Sequence, residues 1–219
     1  HLMQSLFMAN EAIERLERLT EATPLPISSE PRKITSYDIC LDKVSFKYGD
    51  AEKEALHRVC LNMPQGSTTA IVGASGSGKT TLARLVPRFW DVCEGSVSIG
   101  GVDVRQVHKA ELMQCVSFVF QNTRLFKTSL LDNLRYGNEG ATIEQINRAV
   151  DLSQSREIVN RLPKGLDTVI GADGTYLSGG EQQRLVLARA ILKDAPIVVL
   201  DEATAFADPE NEHLIRRAL

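Results

Sequence analysis

An α/β fold is predicted for this 219-residue chain by three observations. A glycine-rich run, Gly73-Ala74-Ser75-Gly76-Ser77-Gly78-Lys79-Thr80-Thr81, follows the β-branched stretch Thr68-Thr69-Ala70-Ile71-Val72, which reads as a buried strand, and precedes Leu82-Ala83-Arg84-Leu85-Val86, which reads as a helix. Residues 34–72 show strand patterning, whereas residues 122–177 turn helical and polar, so a β part and an α-helical part are both expected. Ile197-Val198-Val199-Leu200 reads as a fully buried strand of the parallel type, followed at once by Asp201-Glu202.

In chain order, Leu2, Leu6, Ala9, Ile13 and Leu16 step by four and three and predict a helix over residues 2–19 with one apolar stripe. Glu11–Arg15 and Glu14–Arg18 are i,i+4 pairs in the favourable order, contributing a few tenths of a kcal/mol each. Three prolines in residues 23–31 predict an extended linker. Ile39 and Leu41 alternate, as do Val44, Phe46 and Tyr48, and then Val59, Leu61 and Met63. Gly100-Gly101 turns Ser96-Val97-Ser98-Ile99 back into Val102-Asp103-Val104 as a hairpin, and a further strand runs over 115–120, ending at Gln121. Thr142 with Gln145 predicts a capping box for a helix over 143–152, and Pro163-Lys164-Gly165 breaks the helix after it. Ser178 with Glu181 predicts a second capping box, before a helix over 182–192. Asp208-Pro209 supplies an N-cap and N1 proline for a last helix.

Composition is that of a globular chain, 43% hydrophobic and 24% charged. The net charge of −3 argues against a general nucleic-acid binder. No apolar run exceeds four residues, so nothing in this stretch spans a bilayer, and no signal-peptide pattern is present. Cys40, Cys60, Cys93 and Cys115 are widely spaced, and buried reduced thiols in a cytosolic setting are expected.

The glycine-rich run fits GxxxxGK[ST], a phosphate-binding loop. Its glycines let consecutive N–H groups point inward as an anion nest, and the following helix adds its positive end. Gly73, Ser75, Gly76, Ser77, Gly78, Lys79, Thr80 and Thr81 are the candidate cradle, Lys79 reaching the β- and γ-phosphates and Thr80 ligating Mg²⁺. A flexible Gly/Ser turn is the alternative, but it needs no Lys-Thr at its end. Asp201, closing its strand, stands where a P-loop NTPase places its Mg²⁺-organising acid, and Glu202 is the candidate general base. An Asp-Glu helix cap is the alternative there. Ser178, Gly179 and Gly180 begin a helix and make a second anion site.

Leu177-Ser178-Gly179-Gly180-Glu181-Gln182-Gln183-Arg184 matches the signature motif of ABC-transporter nucleotide-binding domains, and the chain resembles that family from about residue 33 to 219. The resemblance implies a P-loop NTPase (RecA-like) core with an antiparallel β-subdomain and an inserted α-helical subdomain, about 122–188. It implies ATP and Mg²⁺ as cofactors, adenine stacking on Tyr48, and a metal and water contact at Gln121 that senses a membrane partner. It also implies that Ser178, Gly179 and Gly180 close over nucleotide held by a second nucleotide-binding domain, identical or not, in a head-to-tail dimer. Without the resemblance, Tyr48 reads equally as partial core, Gln121 as a polar turn residue and Asp208 as an N-cap. Residues 1–32 resemble the cytoplasmic helix and linker that follow a fused transmembrane domain, which places the domain at the cytoplasmic face of a cell membrane, the inner membrane in a bacterium.

Several positions depart from the family pattern. Glu181 replaces the commoner Gln, and Ala172 replaces the glutamate that contacts the transmembrane partner in exporters. Ala203-Thr204-Ala205-Phe206-Ala207-Asp208 resembles the version in siderophore-iron importers of exporter fold, a clue to cargo. The switch histidine would lie past Leu219, and His213 sits too early to replace it, so a C-terminally truncated domain that binds nucleotide better than it hydrolyses it is expected. Two other classes remain open. A soluble ABC-type ATPase acting on DNA or ribosomes would carry coiled-coil insertions or a basic excess. A non-catalytic nucleotide-gated module would have lost Lys79, Gln121 or Glu202, all of which are present.

Overall fold

The computed structural model describes residues 24–49, 51–120, 124–171 and 176–201, together with Met3, Gln4, Met8, Asn10, Glu11, Ile13 and Glu14. Those seven N-terminal residues are helical and exposed. Of the expected apolar stripe only Ile13 is among them, 52% exposed, and Arg15 and Arg18 lie outside the described residues. Residues 24–38 form no helix or strand, as the prolines predict. They are nonetheless tied down: Pro26 O accepts from Arg88 Nη2 at 2.8 Å, and the Arg32 N–H donates to Gln106 O at 2.8 Å.

Four strands form an antiparallel sheet in the order β2-β1-β3-β4, with β1 Ile39–Phe46, β2 Leu56–Met63, β3 Glu94–Ile99 and β4 Val102–Asp103. Strand β1 buries Ile39, Leu41, Val44 and Phe46, and two exposed residues in a row, Asp42 and Lys43, mark a slip in its ladder. Lys43 adopts φ 48°, and Gly95 of β3 (φ 80°) closes on the slip. A Cβ at Gly95 would lie 2.3 Å from Asp42 O, so only glycine lets the two backbones approach. The hairpin over Gly100-Gly101 is observed, although Val104 belongs to a short 3-10 turn and not to β4.

Helices α1 (Lys79–Leu85) and α2 (Lys109–Cys115) pack Leu82, Leu85 and Leu112 against this sheet in one buried cluster with Leu41, Val97 and Ile99. A second cluster belongs to α3 (Leu130–Arg135), α4 (Ile143–Leu152), α5 (Arg156–Arg161) and one face of α6 (Gly179–Lys193). Both predicted capping boxes are formed, at Thr142/Gln145 and Ser178/Glu181, and α5 ends just before Pro163. Helix α6 serves two cores: Leu185, Ala188 and Leu192 face the helices, while Val186, Leu187 and Ala190 pack with Val119. Apolar residues on two faces are what a helix packed between two cores requires.

β5 (Val116–Val119) and β6 (Ile197–Leu200) pair in parallel, as expected, Val119 standing opposite Leu200. Three expectations need correction. The segment 68–72 is neither strand nor buried: Ile71 is 39% and Val72 is 92% exposed, and among the described residues β6 pairs only with β5. β-Branched residues favour a pleated surface only when a ladder partner is present, and none is found among the described residues. Strand β6 is half-buried beyond Ile197, since no second strand pairs with it among the described residues. Cys40, Cys60 and Cys93 are exposed, and only Cys115 is buried. The alternation that turns Ile39 and Leu41 inward turns Cys40 outward. No helix among the described residues is long and apolar enough to cross a membrane.

Candidate functional site

The phosphate loop leads straight into α1, with Gly78 as its N-cap in the left-handed region at φ 89°. A Cβ there would meet Ala55 O at 2.4 Å and the Leu56 side chain at 2.8 Å, so glycine is required by conformation and by space. The loop folds back through the Ser77 N–H, which donates to Ala74 O at 3.2 Å. Lys79 Nζ donates to Gly73 O at 2.8 Å and Ala74 O at 2.9 Å, which pins its ammonium over the loop. An ammonium carries three N–H donors, and the third suits an anion in the cradle. Gly73, Ser75, Gly76 and Ser77 are all exposed, as a phosphate cradle must be.

Thr80 Oγ1 donates to Asp201 Oδ1 at 2.8 Å, joining the loop to the end of β6. Asp201 is 6% exposed, and its N–H donates to Val119 O at 2.9 Å, continuing the β5–β6 ladder by one residue. Its Oδ2 is buried and has no hydrogen-bond partner among the described residues. A buried carboxylate oxygen left without a donor costs about 1–3 kcal/mol or more unless something cationic meets it. A hydroxyl and a carboxylate side by side are hard oxygen donors of the kind Mg²⁺ takes beside phosphate.

Tyr48 lies two residues past the end of β1, 37% exposed, with its hydroxyl 3.1 Å from Thr81 Oγ1. Its ring stands perpendicular to those of Phe46 (centroids 4.8 Å) and Trp90 (5.3 Å). The structure thus gathers Tyr48, Lys79, Thr80, Thr81 and Asp201 around one loop.

Ser178, Gly179 and Gly180 open α6 at a separate place. Ser178 Oγ accepts from the Glu181 N–H at 3.3 Å, and Glu181 Oε2 accepts from the Ser178 N–H at 2.8 Å. Glu181 also pairs with Arg161 from α5. Burial pushes the Glu181 carboxyl up, but the Ser178 N–H and the Arg161 guanidinium outweigh it and hold the group below its ordinary range. A Cβ at Gly179 would meet nothing within 4 Å, so this helix start is open to solvent.

A model of the ABC transporter family matches residues 56–205, which takes in the loop, the signature and Asp201. The chain belongs to the ABC transporter family. Its fold is the family's P-loop ATPase domain, mixed α/β with an antiparallel sheet. Over 183 residues (83% of this chain, 31% of the relative) it is 45% identical to the ATP-dependent lipid A-core flippase of Vibrio cholerae. Over 209 residues (95% of this chain, 24% of the relative) it is 43% identical to the mycobactin import ATP-binding/permease protein IrtA of Mycolicibacterium smegmatis. The chain therefore spans about a third or less of the length of these relatives. A solved bacterial Atm1-family ABC exporter with ATP bound is similar with a TM-score of 0.85 at 33% identity, covering 94% of this chain and 36% of that one.

Two candidate residues of this ABC domain, Gln121 and Glu202, lie outside the described residues, as do Ala172, His213 and the run 203–208. One feature had no counterpart in the sequence expectations. A cavity of about 290 Å³ between β5 and α6 is lined by Phe118, Phe120, Tyr136, Arg124, Arg189 and Lys193. Arg189 donates to Asn133 O at 2.8 Å and lies over the Phe126 and Tyr136 rings, and burial lowers its pKa. Lys193 Nζ donates to Met113 O and Val116 O, and burial lowers its pKa as well. The i,i+4 spacing of Arg189 and Lys193 in the apolar-rich second half of α6 was the available signal.

Proposed function

We propose that this chain is the ATP-binding and ATP-hydrolysing motor domain of a membrane transporter. The observation that carries the reading is the junction of Thr80 with Asp201, whose second carboxylate oxygen is buried without a partner next to the Lys79 loop. In this reading the loop N–H groups and Lys79 bind the triphosphate of ATP, and Thr80 and Asp201, with Gln121, hold Mg²⁺. The ion, when bound, neutralises developing charge on the phosphates. Tyr48 takes the adenine. Asp201 directly follows β6, and Glu202, the next residue in sequence, is the general base that deprotonates the attacking water.

Ser178, Gly179 and Gly180 form an open, capped helix start that no ligand of the same loop requires. Their place in the mechanism is over the nucleotide of a second such domain, arranged head to tail. A fused transmembrane domain precedes the helix and linker of residues 1–32, with this domain at the cytoplasmic face. The cavity beside Phe120 supports a surface for that membrane partner, one residue from Gln121. The similarity over 209 residues to the mycobactin importer, together with the run Ala203–Asp208, supports a siderophore or another small molecule as cargo.

The test is Glu202→Gln in a full-length transporter. It is expected to keep ATP binding, lose turnover by about 10²–10⁴-fold and accumulate as an ATP-bound dimer. Unchanged steady-state hydrolysis rejects Glu202 as the base.

A further inference from the structure

Six aromatic rings form one connected series through the domain: Phe46, Tyr48, Trp90, Phe89, Phe118 and Phe120. Neighbouring centroids are 4.8 Å apart for Phe46–Tyr48, 5.3 Å for Tyr48–Trp90, 6.4 Å for Trp90–Phe89 and 5.5 Å for Phe89–Phe118. Tyr48 lies outside the ladder of β1, so its ring is placed by side chains: the Phe46 and Trp90 rings and the Thr81 hydroxyl. Trp90 is itself braced. Arg88, at φ 55°, donates Nε and Nη2 to the two carboxylate oxygens of Asp91 at 2.6 and 3.0 Å, bracketing Phe89 and Trp90 between the paired residues. Neither Tyr48 nor Trp90 belongs to the buried cluster beneath the sheet, and each keeps 37% of its surface exposed. Filling that core therefore does not account for Trp90.

We propose that Trp90 is a positioning residue for nucleotide-base recognition: standing perpendicular to Tyr48 from a turn clamped by Arg88 and Asp91, it fixes the plane in which Tyr48 offers aromatic surface to a purine. The proposal rests on the phosphate loop being the triphosphate site. Perpendicular aromatic pairs favour one ring orientation over others, and loss of that preference leaves Tyr48 to swing on its Thr81 hydrogen bond. Base affinity then falls while phosphate affinity stays.

The experiment compares ATP with inorganic tripolyphosphate by calorimetry on the whole chain, for wild type, Trp90→Leu and Trp90→Phe. Leucine keeps apolar bulk without a ring, and phenylalanine keeps a ring. Trp90→Leu is expected to weaken ATP about 2- to 10-fold and leave tripolyphosphate within about twofold, with Trp90→Phe restoring most of the ATP affinity. Equal loss for both probes, unchanged ATP affinity, or no rescue by phenylalanine overturns the proposal. A wild-type chain that binds neither probe contradicts the phosphate-loop reading itself. One that binds tripolyphosphate as tightly as ATP keeps the loop and removes the base site.

Discussion

The hydroxyl of Thr80 and the carboxylate of Asp201 meet at 2.8 Å across 121 residues of sequence. This contact turns two separate motifs into one site, because it sets a phosphate-binding loop against a buried acid with an unpartnered oxygen. Thr80→Ala or Asp201→Asn is expected to lose at least about tenfold of the Mg²⁺-dependent gain in ATP affinity, the loss typical even of outer partners at metal sites. Titration with ATP in Mg²⁺ and in chelator separates this from a general loss of binding. An undiminished Mg²⁺ effect in both variants would remove the pair from the metal site.

The capping box of α6 carries a pH signature. Glu181 is held below its ordinary value of 4.5 in the folded chain. A carboxylate with a depressed folded pKa stabilises the fold above its unfolded value, and that contribution is lost as pH falls through the folded pKa. Glu181→Gln keeps the acceptor but removes the charge facing Arg161. The variant is expected to be about 0.3–1 kcal/mol less stable at neutral pH, with the difference shrinking as pH falls below 4.5 and vanishing once the folded carboxyl is protonated. Denaturant melts of both proteins across that range check it, and a gap that persists in acid would contradict it.

Leu185 is fully buried on the face of α6 that closes the helical cluster. Leu185→Ala is expected to cost about 2–5 kcal/mol, read as an earlier thermal or denaturant midpoint. A shift under about 1 kcal/mol would mean that α6 is not the shared wall of two cores.

How much of this was legible in sequence depends on the range of each contact. The capping boxes at Thr142 and Ser178 span three residues and use only local geometry, so their residue types suffice. The glycines of the phosphate loop are legible for the same reason. The exposure of residues 68–72 is not, because strand propensity is satisfied only by a partner that lies elsewhere in the chain. Trp90 joins Tyr48 from beyond the phosphate loop and α1 in sequence, and Arg161 joins Glu181 from a neighbouring helix, so no local pattern announces either pair. The exposed Cys40 was readable from the alternation around it, and a compositional default obscured it.

The most direct measurement is an ATP titration of the wild-type chain beside Lys79→Ala. Lys79 is held over the loop by Gly73 O and Ala74 O, where a charged donor meets the phosphates. The variant is expected to bind ATP roughly 10- to 100-fold more weakly, the loss expected for one charge-assisted hydrogen bond to phosphate. Equal affinity in the two proteins would show that the triphosphate is held somewhere else.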